Sequence, residues 1–337
     1  IDLRSDPVTH PTPEMRRAMA EAEVGDDVYG EDPTVNRLQE AAARRLGFEA
    51  ALWVPSGVMG NEIAIRLLTR PGDEVLAEER SHVVHYELAG MAALSGVMPR
   101  TVSAEHGLLT PAVVEEARKP YAYYRSDATL AVLENTHNLA GGTVYTVEQT
   151  RAAVAACRAA GMRVHLDGAR LWNAAVALGV PPSALAEGFD TVMVTLSKGL
   201  CAPAGSLLLA SRDLVEQARR VRKQLGGGMR QVGVLAAAGL VAIETMVARL
   251  HEDHVNARLL GDALAALPGV RVPPVRTNIA VGVLPRPEAP DVVAALRERG
   301  VLATAMDART LRLTTHRDVS RADCEHAASL LPEALRG

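Results

Sequence analysis

Short apolar runs alternate with stretches of helical periodicity along most of the chain. The runs EVLA (74–77), TLAVLEN (129–135), RVHLD (163–167), TVMVTLS (191–197) and SLLLAS (206–211) are continuously apolar rather than alternating. Strands covered on both faces read this way, so the pattern predicts a mainly parallel sheet. Helical stretches separate them. One runs from about Val35 to Leu46 and is closed by Gly47; another starts at Gly57, after the run ALWVPSG, and continues to about Thr69, where Pro71-Gly72 stops it. Further helices open near Val83, Thr146 and Ala169. Thr146 and Gln149 have the spacing of a capping box, and Gly161 marks the end of that helix. Together these elements predict an α/β fold, a mainly parallel sheet between helices.

Both ends of the chain differ from this middle. Residues 1–30 are irregular and dense in Asp, Gly and Pro, which predicts an extended arm. From about residue 250 the pattern changes to RVPPVRTNIAVGV, a helix around 290–299, GVLAT, TLRLTTH and a final helix after Ser320. That predicts a smaller α+β unit over 250–337, leaving 31–249 as the large domain.

Composition narrows the classes. Lys+Arg total 36 against 40 Asp+Glu, a net charge of −4, with 48% hydrophobic and 23% charged residues. This is the balance of a globular protein with a sizeable core, and it excludes disorder, collagen and coiled coil. No like-signed cluster marks a nucleic-acid or membrane surface, so the expected partners are small molecules and copies of the chain itself. The longest apolar run, Val232 to Ile243, has 12 residues. It is shorter than the roughly 20 residues a membrane span needs and reads as a buried helix over about 232–248. The opening IDLRSDPVTH carries charges and no apolar stretch, unlike a secretory signal. Cys157, Cys201 and Cys324 show neither CxxC nor metal-ligand spacing. No disulfide framework or metal site is expected, and a reducing cytoplasm fits.

In parallel sheets, ligands bind beyond the carboxyl ends of the strands. Here those ends carry chemistry: RVHL runs into Asp167, TVMVTLS into Lys198, and TLAVL into Glu134-Asn135-Thr136-His137-Asn138. Lysine occurs only at 119, 198 and 223, so few amines are available as nucleophiles. An amine and a carboxylate at one sheet edge suit a Schiff base to pyridoxal phosphate, whose ring nitrogen a carboxylate keeps protonated. A plain Lys–Asp ion pair is the alternative. Val54 to Asn61 places small residues where a strand gives way to a helix, as a phosphate cradle or merely a turn and cap. His82, with His85 on the same face, either stacks on a flat cofactor or opens a helix in water. Arg312 alternates with Leu311 and Leu313, as a fork for a carboxylate or as part of a solvated strand face.

In this order, the stretches IDLRSD, GDDVYGEDPTVN, ENTHN, HLDGARLWNA, SKGLCAPAGSLL, RKQLGGGMRQ and LRLTTHRDVSR resemble the low-specificity L-threonine aldolases of the β-eliminating lyase/threonine aldolase family. These belong to fold type I of the pyridoxal-phosphate enzymes, and the likeness spans nearly the whole chain. It implies a fold of the type I transferase-like class and cleavage of L-threonine or L-allo-threonine to glycine and acetaldehyde. It also implies Lys198 as the Schiff-base lysine, Asp167 as the pyridinium partner and His82 as the ring-stacking residue. Gly57, Val58 and Ser197 fall at the cofactor, and Arg170, Arg312 and Ser5 at the cofactor oxygen and substrate carboxylate. His82 is the first choice of base and His137 the second. Tyr29, Lys223 and Arg230 fall in segments that reach a neighbouring subunit, implying a homo-oligomer, a tetramer by the likeness. The chain departs from the family at Val58 and Pro7, where threonine is usual, and at Tyr124, near the place of a histidine that meets the substrate hydroxyl. Another β-elimination or a transamination on the same cofactor is the alternative reaction.

Overall fold

The apolar runs pair side by side, and their register determines which side chains meet. In the computed structural model, which describes residues 1–336, seven strands form one sheet. They are β1 (Ala50–Val54), β2 (Glu74–Glu78), β3 (Met98–Val102), β4 (Ala128–Glu134), β5 (Arg163–Gly168), β6 (Thr191–Thr195) and β7 (Ser206–Ala210), in the order β1-β7-β6-β5-β4-β2-β3. From β6 to β3 every pairing is parallel. β2, β6 and β7 are buried at every position, the physical reason their sequences are continuous apolar runs. The β4–β5 register sets Glu134 beside Asp167, and the β5–β6 register sets Gly168 beside Val194. The carboxyl ends of β4, β5 and β6 therefore finish at one edge.

β7 runs antiparallel to both β6 and β1. A run such as SLLLAS, apolar at each position, carries no signal of direction, so the sequence shows the strand but not its sense. The antiparallel return brings Ser206 opposite both Thr195 and Val54, and the loop between β6 and β7 carries Lys198 back across the site edge. Gly205 closes that loop at φ +103°, where a Cβ would approach Trp53 Nε1 to 2.5 Å. A side chain is excluded there both by backbone conformation and by space.

Several expected elements are corrected. β3, sequence MPRTV, was not visible as an apolar run because it is a partly exposed edge strand. The arm is not wholly irregular: Pro13–Ala20 is a helix capped by Thr12. The helix expected from Val83 is one turn, His82–His85, followed by Leu88 and Ala89 at positive φ and a second helix, Gly90–Ser95. The helix after Asp167 begins at Leu171 rather than Ala169. The long apolar helix is helical over Gly233–Val241, passes through a π-turn at Ala242–Met246 and bends into Leu250–Ala265. No single described helix is long and apolar enough to cross a membrane. That bent pair passes by length and composition with a 69° break, but Ala236, Ala238, Leu250, Leu260 and Leu264 along it are buried in the two cores.

A second sheet of β8 (Ile279–Val283), β9 (Thr304–Ala305) and β10 (Thr310–Thr314) is antiparallel, in the order β8-β10-β9. It has its own apolar cluster, which includes Leu260, Leu311, Leu313 and Leu331 together with Leu3 from the arm. Leu3 N donates to Leu302 O and Thr314 N to Leu3 O, both at 2.8 Å. Further along, Thr9 Oγ1 donates to Lys198 O at 2.9 Å, so the same short arm touches both sheets' neighbourhoods.

Candidate active site

At the shared edge lies a cavity of about 160 Å³ lined by Ser56, Gly57, Val58, Asn61, His82, Asp167, Ser197 and Lys198, among others. Four chain segments converge on it because four strands end there. β1 delivers the first turn of the Gly57–Leu68 helix, capped by Ser56, whose side chain accepts from Met59 N at 3.2 Å. The N–H groups of Gly57 and Val58 have no intrahelical acceptor, and the helix dipole adds positive potential. β5 delivers Asp167, the turn after β2 delivers His82, and the β6–β7 loop delivers Lys198.

Asp167 is aimed by two donors. Asn61 Nδ2 donates to its Oδ2 at 2.9 Å and Ala169 N to its Oδ1 at 3.0 Å, and each oxygen keeps a second acceptor direction. Asn61 is held in turn: its Oδ1 faces His165 Nε2 at 3.0 Å, and its amide also donates to Glu87 Oε1 at 2.7 Å. His165 is fully buried, and desolvation pushes it down to about 4, so it is neutral and donates from Nε2. His82, Glu87 and Asp167 bring ligand-type atoms within 4.8 Å of one another. The Asn61 N–H groups already fill the gap between the two carboxylates, which suits a donor network and not a cation.

His82 is oriented at two points. Its backbone N–H donates to Glu134 Oε2 at 2.8 Å, and Nδ1 lies 2.8 Å from Glu87 Oε1. Nε2 has no hydrogen-bond partner among the described residues. Burial, the largest single influence, pushes the imidazole down. The Glu87 hydrogen bond and the charges of Asp167 and Glu87 outweigh it, and the net shift is upward from 6.5. Lys198 is half-buried, and desolvation first, then the Arg170 charge, lowers its amine from the ordinary 10.5. A lowered amine is a better nucleophile near neutrality.

Arg170 and Arg312 differ in how they are satisfied. Arg170 is buried and clasped by Asp6, with Asn138 Oδ1 accepting from its NH1 at 3.3 Å. Arg312 donates from NH1 to the same Asn138 oxygen at 3.1 Å and from NH2 to Arg4 O at 3.2 Å. Its Nε has no partner, and no carboxylate lies within 4.0 Å of it among the described residues. A buried guanidinium lacking an anion is suited to receive one from a ligand. Ser5, next to Asp6 on the arm, sits beside the Arg4 carbonyl that Arg312 contacts.

Two expected site residues lie elsewhere, which corrects the sequence reading. Tyr124 is 74% exposed, edge-on to Tyr123 at 5.2 Å, and does not line the cavity. The segment that carries it, 121–126, lies at the surface and does not reach the site in this chain. His137 is fully buried behind the sheet edge, its Nε2 3.1 Å from Glu78 Oε2, and is walled in by Gly107. Its Nδ1 accepts from Ala140 N at 3.3 Å and its Nε2 is turned to Glu78, so neither ring nitrogen has access to a ligand. Tyr29 is exposed, and Arg230 pairs with Asp26 at 2.7 Å. Lys223 lines a basic groove of about 720 Å³ with Arg219, Arg220 and Arg222. Asp6, Asn61, Glu87 and Asn138 belong to the site and were missed. Asn61 and Asn138 stood inside motifs already singled out, whereas nothing in the sequence marked Glu87 or the Asp6–Arg170 pair.

The beta-eliminating lyase family matches residues 2–285. Low-specificity L-threonine aldolase 1 of Arabidopsis thaliana is 41% identical over 99% of this chain and 96% of its own length. The chain belongs to the beta-eliminating lyase family. Another relative in that family, the low specificity L-threonine aldolase of Escherichia coli (strain K12), is 40% identical over 98% of this chain and 97% of its own length. In three dimensions the threonine aldolase of Leishmania major superposes with a TM-score of 0.85 at 22% identity, covering 99% of each chain. A serine palmitoyltransferase of Sphingomonas wittichii superposes at 0.79 with 18% identity, covering 100% of this chain and 87% of its own. These likenesses establish the fold as type I, with the mainly parallel seven-stranded sheet and the smaller antiparallel one.

Proposed function

We propose that this beta-eliminating lyase family member cleaves L-threonine and L-allo-threonine to glycine and acetaldehyde with pyridoxal phosphate, and other β-hydroxy-α-amino acids to glycine and the matching aldehyde. The observation that carries this reading is the meeting of Lys198, Asp167 and His82 on one small cavity with the first turn of the Gly57–Leu68 helix. Relatives about 40% identical over nearly full length are themselves low-specificity L-threonine aldolases.

The residues present fit the cofactor. An amine with a lowered pKa, a carboxylate aimed by two donors and a helix N-terminus with free N–H groups are the three contacts its aldehyde, ring nitrogen and phosphate require. When bound, pyridoxal phosphate supplies the sink for the electron pair released as the Cα–Cβ bond breaks. Lys198 would hold the aldehyde, and Asp167 would keep the ring nitrogen protonated. Gly57, Val58 and Ser197 would hold the phosphate. Arg312, with its unpartnered Nε, binds the substrate carboxylate, while Arg170, Ser5 and Asn138 fix its surroundings. His82 lines the same cavity and would accept the β-hydroxyl proton at Nε2.

The reading extends to the whole molecule. The exposure of Tyr29 and Lys223 and the basic groove beside Lys223 support a homo-oligomer, a tetramer by family likeness, in which those residues and Arg230 approach a neighbour's site. The separate apolar cluster around the small sheet supports an arm over 1–30, a large domain over 31–249 and a small domain over 250–337. Three buried, unpaired cysteines support a cytoplasmic setting. A product assay tests the function: threonine and allo-threonine with added pyridoxal phosphate yield glycine and acetaldehyde in equal amounts. A keto acid with ammonia indicates β-elimination, and a keto acid without ammonia indicates transamination; either result replaces the aldol reading.

A further inference from the structure

Behind His82 lies a pair of acids that the reaction above does not use. Glu62, on the Gly57–Leu68 helix, and Glu87, on the turn after His82, are only 2% and 4% exposed. Glu62 is pressed against Gly90, three residues on from Glu87, where a Cβ would fall 2.2 Å from its Oε1, and the Glu87 carboxyl next to it acts on Glu62 by charge and by hydrogen bonding. Glu87 Oε1 is satisfied by His82 Nδ1 and Asn61 Nδ2. Its Oε2 and both oxygens of Glu62 have no donor at all. Three buried carboxylate oxygens facing one another are costly when both groups are ionised, because neither can donate and each repels the other. No Lys or Arg nitrogen lies within 4.0 Å of either group among the described residues, and Arg66, one turn on from Glu62, donates instead to Leu94 O. One proton placed between the two acids resolves all of this.

We propose that Glu62 and Glu87 share a single proton, and that the pair fixes the His82 ring with Nδ1–H donated to Glu87 and Nε2 left as the free acceptor. Glu87 is then the positioning residue for His82, and Glu62 keeps Glu87 in place without adding a second charge beside it. The groups facing the pair agree with this assignment: Asn61 on Glu62's own helix, His82 on the preceding turn, and Asp167 and His165 on β5. Desolvation first, then the Glu87 charge and hydrogen bond, pushes Glu62 up to about 8.

The catalytic meaning of the pair rests on His82 as the base, but the pair itself is read without turnover. Infrared spectra of the full chain, with and without pyridoxal phosphate, are recorded from pH 5 to 10 for the wild type and Glu62→Gln. The wild type shows a protonated-carboxyl stretch at pH 7 that fades with a midpoint near 8, and Glu62→Gln lacks it. Absence of the band in the wild type, or its persistence in Glu62→Gln, overturns the shared proton. Should Glu62→Gln not fold, Glu62→Leu serves for the same comparison. Nitrogen-15 spectra of the histidines then read the ring: Nδ1–H predominates for His82 in the wild type and is lost in Glu87→Leu. An Nε2–H tautomer in the wild type overturns the positioning role. In turnover, Glu87→Leu lowers kcat on the order of 10²-fold with KM little changed, and Glu87→Gln, whose amide oxygen still accepts Nδ1–H, recovers most of it. If the infrared and nitrogen-15 results hold while kcat does not change, the pair stands and the assignment of His82 as base falls.

Discussion

Asp6 grips Arg170 through two parallel hydrogen bonds, 2.9 Å from Nε and 2.7 Å from NH2, with both side chains buried. The fork is thereby neutralised by the protein's own arm. Arg312, which shares the Asn138 oxygen with Arg170, has no such acid, and this is why we propose it for the substrate carboxylate. Replacing Arg312 with leucine removes charge-assisted hydrogen bonds worth about 1.5–3 kcal/mol, so kcat/KM for threonine falls roughly 10- to 150-fold. Initial-rate measurements with the cofactor saturating check this, and an unchanged KM removes Arg312 from the substrate site.

Asp6→Ala leaves the Arg170 charge buried and unpaired, a change that costs about 3–5 kcal/mol in comparable sites. Burial alone raises the Asp6 carboxyl, but the Arg170 charge and hydrogen bonds outweigh it and hold it at about 2, below the ordinary 3.8. A lowered acid contributes stability that is present above its unfolded value and lost as pH falls through its folded value. The wild type's advantage over Asp6→Ala is therefore full above about pH 4 and shrinks toward pH 2. Denaturant unfolding of the two proteins at stepped pH measures that difference.

Lys198 is the half-buried amine of the site, whereas Lys119 and Lys223 are exposed. Lys198→Ala loses both turnover and the visible absorbance of a lysine-bound cofactor, while Lys119→Ala keeps both. Retention of the visible band in Lys198→Ala would falsify the Schiff-base assignment.

The upward shift of His82 has a direct kinetic consequence. A base acts only when unprotonated, so turnover falls as pH drops through a value above the ordinary 6.5, and Glu87→Gln, by removing a neighbouring charge, moves that limb to lower pH. A pH profile of kcat for the two proteins decides the matter. A limb common to both points to another group as base.

How much of this was legible beforehand depended on the kind of signal. Asp167 and Lys198 were visible because each ends an apolar run, and strand ends are placed by local pattern alone. The direction of β7 was not, since a run buried on every side reads the same in either sense. His137 has a chemically suggestive residue type, but its side chain packs inward against Glu78, and the sequence pattern did not reveal that orientation. Glu87 lies between the single helical turn His82–His85 and two positive-φ residues, Leu88 and Ala89, a break that the helix expected from Val83 did not foresee. Asp6 and Arg170 are separated by 164 positions, and no local rule links such a pair.

The arm's ties bear on how the fold closes. Leu3 docks on Leu302 and Thr314, and Asp6 on Arg170. These contacts join segments at least 164 positions apart, and closing such long loops is slow compared with forming local turns and helices. Until they form, Arg170 lacks its carboxylate and the small sheet lacks Leu3, so the pocket is completed late in folding.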